Sequence, residues 1–180
     1  MHTWIIADTH FGHDSETSPL LRFCGRPKNF SELIVNNWVL MVETKDVVYH
    51  LGDVLYCKNS RERKRYGNLL RGLPGIKILI RGNHDKLPVA WYLDNGFTAV
   101  MDYAKVSTIY TKGVKTPRNF YYTALLSHVP MEYPDVDFSC HGHFHNNESN
   151  RWEGEYAALL QDNHRLFSLE ENEYRPVRLG

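Results

Sequence analysis

Short apolar runs, each broken off by a polar cluster, recur through the first half of the chain. Trp4-Ile5-Ile6-Ala7 ends at Asp8, Val47-Val48-Tyr49 runs into His50-Leu51-Gly52-Asp53, and Ile76-Lys77-Ile78-Leu79-Ile80 ends at Arg81-Gly82-Asn83. Runs of this length, bounded by turn residues, read as buried strands. Between them the apolar period lengthens to that of a helix. Leu33, Ile34, Trp38, Met41 and Val42 share one face of a helix starting near Ser31, and Asn59 or Ser60 caps a second that stops at Gly72-Leu73-Pro74-Gly75. A short helix follows over 88–94, closed by Asn95-Gly96, whereas the polar stretch to Lys28, punctuated by Gly and Pro, reads as loop. The second half changes character. Runs at 97–110, 119–127 and 136–140 are rich in Val, Thr, Tyr, Phe and Ile and read as hairpin strands, with Lys112-Gly113 as one turn. Residues 165–169 and 174–179 are expected to add one more strand pair. Alternating strands and helices followed by a β-rich half predict an α/β fold of two packed sheets with helices outside, in one domain over 1–180.

Composition narrows the classes. A chain of 180 residues buries roughly 70% of its unfolded surface and needs no disulfide to fold. Its 21 basic and 21 acidic residues cancel, so no global field draws it to nucleic acid or an anionic membrane. Cys24, Cys57 and Cys140 form no C-x-x-C pair and read as small buried hydrophobes in a reducing compartment. The apolar run after Met1 is too short for a signal peptide, and no run approaches the ~20 residues that span a bilayer. The expected location is the cytoplasm.

The polar clusters carry the chemistry. They are Asp8-Thr9-His10, Gly52-Asp53, Gly82-Asn83-His84-Asp85, His128 and Gly142-His143-Phe144-His145. Ligands of open α/β sheets gather beyond the carboxyl ends of the strands, where distant segments converge. Imidazole, carboxylate and amide oxygens together suit borderline divalent ions. Asp8 and His10 are two apart, and in an extended strand both side chains point to one side; His143 and His145 repeat the spacing. A carboxylate can offer one oxygen to each of two ions, which a neutral imidazole cannot do.

The ordered set D-x-H, G-D, G-N-H-D, lone His and G-H-x-H resembles the motifs of the calcineurin-like metallophosphoesterases over Asp8 to His145. The resemblance implies a four-layer αββα sandwich, two packed mixed sheets flanked by helices, with two metals at the sheet ends. It implies that Asp8, His10 and His145 hold one ion and Asn83, His128 and His143 the other, with Asp53 bridging. In such sites the ions lie ~3.5–4 Å apart and acidify a water whose hydroxide attacks phosphorus in line. His84 is then the group, not itself a ligand, that protonates or stabilises the leaving oxygen, with Asp85 orienting its ring and raising its pKa. Mn²⁺ is the expected metal, with Fe, Zn²⁺ or Ni²⁺ as alternatives. The implied activity is hydrolysis of phosphomono- or phosphodiesters.

Other residues carry weaker signals. His13 shares the first loop and Arg81 precedes the third cluster, which makes both candidates for binding substrate phosphate. Arg22 and Arg26 are further cations near the cleft. His50 and His141 read as packed imidazoles behind the ligands, and His2 and His164 as surface residues. Lys58, Arg61, Arg63, Lys64 and Arg65 read as a solvated helix face. The alternative, a contact to a phosphate backbone, would make the enzyme a nuclease or cyclic-nucleotide phosphodiesterase. A scaffold of the same fold, without catalysis, is a third reading, disfavoured by the intact set including His84. Val54-Leu55-Tyr56-Cys57 after Gly52-Asp53 departs from the protein Ser/Thr phosphatases. Sequence leaves the oligomeric state open.

Overall fold

A computed structural model of the chain describes residues 1–112, 118–146, 156, 159–160 and 162–180. Two mixed sheets pack face to face, flanked by helices. The first has the order β4-β3-β2-β1-β9, built from β1 (Thr3–Ile6), β2 (Val47–His50), β3 (Ile76–Ile80), β4 (Phe97–Met101) and β9 (Val177–Arg178). Its first four strands are parallel and β9 is antiparallel to β1. The second has the order β5-β6-β7-β8, from β5 (Tyr103–Lys112), β6 (Arg118–Ser127), β7 (Phe138–His141) and β8 (His164–Leu166). Here β5 and β6 form an antiparallel pair, while β6, β7 and β8 run parallel.

Alternation along β1 explains the layering. Successive side chains of a strand point to opposite faces. Trp4 and Ile6 face the helices, with Phe30, Ile34 and Trp38 of α2 (Phe30–Met41), Tyr66 and Leu70 of α3 (Ser60–Gly72) and Tyr92 of α4 (Val89–Asp94). Ile5 and Ala7 face the other way, onto Ala124, Leu126 and Cys140 of the second sheet. Both faces of the first sheet are thus buried, which is why its strands read as unbroken apolar runs. Cys140 is one of these packed groups, and burial pushes its thiol up to about 12.

The α3 helix starts where its sequence signals it. Asn59 accepts a hydrogen bond from Glu62 N–H at 2.9 Å, and the Glu62 carboxylate accepts from Lys58 N–H at 2.7 Å. Two otherwise orphaned N–H groups are thereby satisfied at the helix entry.

Three expectations change. The run 97–110 is two strands in different sheets, broken at Asp102, because the chain leaves the first sheet there to begin the second. The two tail segments do not pair with each other: β8 joins the second sheet and β9 closes the edge of the first. A five-residue helix, α1 (Pro19–Phe23), lies in the stretch read as loop, with Ser18 as its N-cap and Pro19 in its first turn. The Lys112-Gly113 turn extends outside the described residues. No helix among those described is long and apolar enough to cross a membrane.

Candidate metal centre

The backbones leaving β1 and β2 stay zipped together beyond the strands. Asp8 N–H donates to Gly52 C=O at 2.9 Å, His10 N–H to Asp53 C=O at 2.9 Å, and Phe11 N–H to Val54 C=O at 3.0 Å. His50 supports this ladder from behind: its Nε2 lies 2.9 Å from the Thr9 hydroxyl, which donates to Val54 C=O at 2.7 Å. Burial pushes the His50 imidazole down to about 3, so it is neutral and packed, as its position off the ligand side implied.

The spacing of Asp8 and His10 works differently from the extended-strand argument. Both residues are left-handed, with φ of 54° and 43°. Asp53, His143 and His145 share the conformation, at 57°, 74° and 53°. Left-handed backbone at a non-glycine residue costs about 1–3 kcal/mol and persists where the surrounding structure over-determines it. Five of the seven ligand candidates carry that strain, so these side chains converge because each backbone turns at its ligand.

Two motif glycines have a steric reason. A Cβ on Gly82 would collide with Asp53 Oδ1, and one on Gly142 would collide with Asp8 Oδ2. Each glycine lets a loop close over a carboxylate. His84 N–H then donates to Asp53 Oδ1 at 2.8 Å, and His143 N–H to Asp8 Oδ2 at 2.9 Å.

Two ligand clusters flank Asp53. In the first, Asp8, His10 and His145 bring ligand atoms within 4.8 Å of one another. Asp8 Oδ1 and both ring nitrogens of His10 are buried there without a hydrogen-bond partner. In the second, Asn83 Oδ1 lies 2.8 Å from His128 Nε2 and 3.1 Å from His143 Nδ1, and the two imidazole nitrogens are 3.2 Å apart. His128 Nδ1 is 2.7 Å from Leu51 C=O and donates to it, which leaves Nε2 with its lone pair turned to the site. Between the clusters, Asp53 Oδ2 is 3.5 Å from His10 Nε2 and 3.6 Å from His128 Nε2. All seven predicted ligands are therefore brought together.

Burial sets the charge states of these groups. Burial, reinforced by His145, holds His10 well below the ordinary imidazole range, and burial pushes His143 down to about 4. Both rings are neutral at pH 7, the form that binds metal. Burial raises the Asp8 carboxyl, a penalty that a bound cation would remove.

The remaining candidates fall into place with corrections. His84 is exposed, its ring 5.5 Å from that of His10. Asp85 does not orient that ring. Its oxygens accept from the backbone N–H groups of Asp53, Val54 and Gly82 at 2.8–3.0 Å and from Tyr92 OH at 3.2 Å. Buried and so occupied, Asp85 fixes the loop that carries Asn83 and His84. His13 stacks on Tyr56 with ring centroids 4.1 Å apart, and Arg81, 3.5 Å from Asp102, lines a cavity with Asn83, Lys86 and His128. Arg26 is buried rather than poised for substrate, its Nε donating to Glu170 Oε1 at 2.6 Å. His141 is buried beside Phe144, and His164, expected at the surface, is buried 5.8 Å from the His141 ring. In the basic run every cation is exposed, and Arg63 lines a small cavity with His84.

Glu170 is the residue that the sequence did not reveal. It lies 25 positions beyond His145, in no motif, yet its Oε1 is 3.2 Å from His145 Nδ1. No local pattern marks it, because only the fold brings the two together.

Comparison with known proteins bears on the family and the fold. The family model of the calcineurin-like phosphoesterases matches residues 1–147. An uncharacterized protein of Methanocaldococcus jannaschii is 38% identical over 87 residues, covering 46% of each chain, so the match spans about half the length of that relative. The crystal structure of a protein of unknown function from Aquifex aeolicus superposes with a TM-score of 0.68 at 26% identity, covering 98% of this chain and 95% of that one.

Proposed function

We propose that this chain, which belongs to the calcineurin-like phosphoesterase family, hydrolyses phosphoester bonds with two divalent metal ions, Mn²⁺ first among them. Asp8, His10 and His145 hold one ion, Asn83, His128 and His143 the other, and Asp53 is shared. The single observation that carries the reading is the placement of Asp53 Oδ2 between His10 Nε2 at 3.5 Å and His128 Nε2 at 3.6 Å. The orphaned Asp8 and His10 atoms fit a cation, since buried polar atoms are otherwise almost always paired.

When bound, such ions would neutralise phosphoryl charge and lower the pKa of a water toward about 7. The chain's own residues do the rest. Asp85 holds the 82–85 loop against the backbone of Asp53 and Val54, which fixes Asn83 and presents His84 to solvent at the edge of the site. His84 gives its proton to the leaving oxygen, a role suited to an exposed imidazole beside the ligand rings. His13 and Arg81 flank the cleft and receive the phosphoryl oxygens.

The reading covers phosphodiesters and phosphomonoesters alike. Assays with bis-p-nitrophenyl phosphate and p-nitrophenyl phosphate in Mn²⁺, side by side, assign the class; turnover of neither contradicts the proposal. A second reading, a nuclease or cyclic-nucleotide phosphodiesterase, draws support from Arg63, which brings one cation of the basic run to the cavity beside His84. Metal-dependent, salt-sensitive cleavage of DNA or RNA would favour it. The setting is expected to be the cytoplasm.

A further inference from the structure

We propose that Glu170, from the C-terminal segment, is a positioning residue for the metal centre: it keeps the His145 proton on Nδ1 and leaves Nε2 with the lone pair that meets a cation. This rests on the reading of His145 as a ligand. The geometry presents His145 Nδ1 with two competing neighbours. Glu170 Oε1, an acceptor, is at 3.2 Å, and Arg26 NH2, a donor, is at 3.1 Å. A neutral imidazole can answer only one of them. With the proton on Nδ1 it donates to Glu170 and Nε2 is free for metal; with a bare Nδ1 it accepts from Arg26 and the proton blocks Nε2.

The surroundings decide for Glu170. Its Oε2 accepts from the Ser168 hydroxyl at 2.7 Å, and its Oε1 accepts from Arg26 Nε at 2.6 Å. Ser168 and Leu169 are buried, and Leu169 belongs to the helix-side core, so the carboxylate is anchored by a packed segment. Arg26 sits with its guanidinium carbon 5.0 Å from the Phe30 ring centroid and compensates the buried carboxylate. A carboxylate acceptor on Nδ1 also makes Nε2 a stronger ligand. Cys24, His145 and Glu170 also bring ligand atoms within 4.8 Å of one another, but the Arg26 guanidinium beside Glu170 and His145 opposes a second cation on that side. Glu170 lies beyond residues 1–147, the part matched by the family model.

The test reads the tautomer in the metal-free chain. Long-range ¹H–¹⁵N spectra, with the His145 signals identified by their loss in His145→Ala, should place the proton on Nδ1 in the wild type. Glu170→Ala should move it to Nε2 as Arg26 takes over, and calorimetry should show one of two Mn²⁺ ions bound roughly tenfold or more weakly. Glu170→Gln keeps an acceptor oxygen without the charge, so it should retain the Nδ1 proton and weaken that ion by less. A wild-type proton on Nε2, or unchanged Mn²⁺ affinity in Glu170→Gln, overturns the proposal, and both can be read even if Glu170→Ala does not fold. A wild type that takes up no Mn²⁺ contradicts the phosphoesterase reading itself. A wild type with two ions whose affinities Glu170→Gln leaves untouched contradicts only the role of Glu170.

Discussion

The two halves of the site are built differently. Around Asn83, His128 and His143 the ligand atoms already meet one another: a proton on His143 Nδ1 can serve both Asn83 Oδ1 and His128 Nε2, and the His128 Nδ1 proton goes to Leu51 C=O, although the acceptors Asn83 Oδ1 and His128 Nε2 are then left 2.8 Å apart. Around Asp8, His10 and His145 partners reach only His145 Nδ1 and Asp8 Oδ2, while Asp8 Oδ1 and both His10 nitrogens are buried without a hydrogen-bond partner. An unsatisfied buried polar group costs about 1–3 kcal/mol, and a cation relieves that cost in the first cluster. In the second, a cation must first displace a proton from an existing hydrogen bond. The difference teaches that two sites sharing one carboxylate need not be equals. The first should bind metal more tightly, and the second should fill and empty more readily.

The largest effect should come from the group common to both clusters. Asp53→Asn is predicted to lower turnover of bis-p-nitrophenyl phosphate about a thousandfold, several kcal/mol of transition-state stabilisation; metal analysis of the same variant should show fewer than two ions per chain. His84→Ala should lower turnover about a hundredfold or more with both ions retained. An empty metal site in that variant would place His84 among the ligands. Gly82→Ala drives a Cβ into Asp53 and should cost about 2 kcal/mol, read as a thermal midpoint lower by roughly 4–8 °C. The smallest effect is predicted for Lys64→Ala with Arg65→Ala: turnover of the small diester should change less than about twofold, because exposed cations on a solvated helix contribute little. A large loss on DNA or RNA alone would move the account toward the nuclease reading.

Much of this was legible in the chain because apolar run and polar cluster alternate so regularly. Each ligand motif lies where a buried strand ends, and the two mixed sheets flanked by helices follow from the same pattern. What sequence could not show is geometry that depends on contact. Asp8 and His10 were expected to align by strand alternation, whereas left-handed backbone at each residue aligns them. Asp85 stands next to His84 in sequence, but its oxygens are taken by three N–H groups and Tyr92 OH. Adjacency along a turn says little about which way a carboxylate faces. The break at Asp102 was hidden because both strands around it are equally β-prone. Arg26 and Glu170 are separated by 144 positions, so the ion pair that braces His145 exists only in the folded chain.

The most direct measurement is a calorimetric Mn²⁺ titration of the wild type, His10→Ala and Asn83→Ala. Two ions should bind the wild type in separate steps, with His10→Ala losing the tighter and Asn83→Ala the weaker. A wild type that binds a single ion, or two variants that lose the same one, would contradict a pair of unequal sites joined by Asp53.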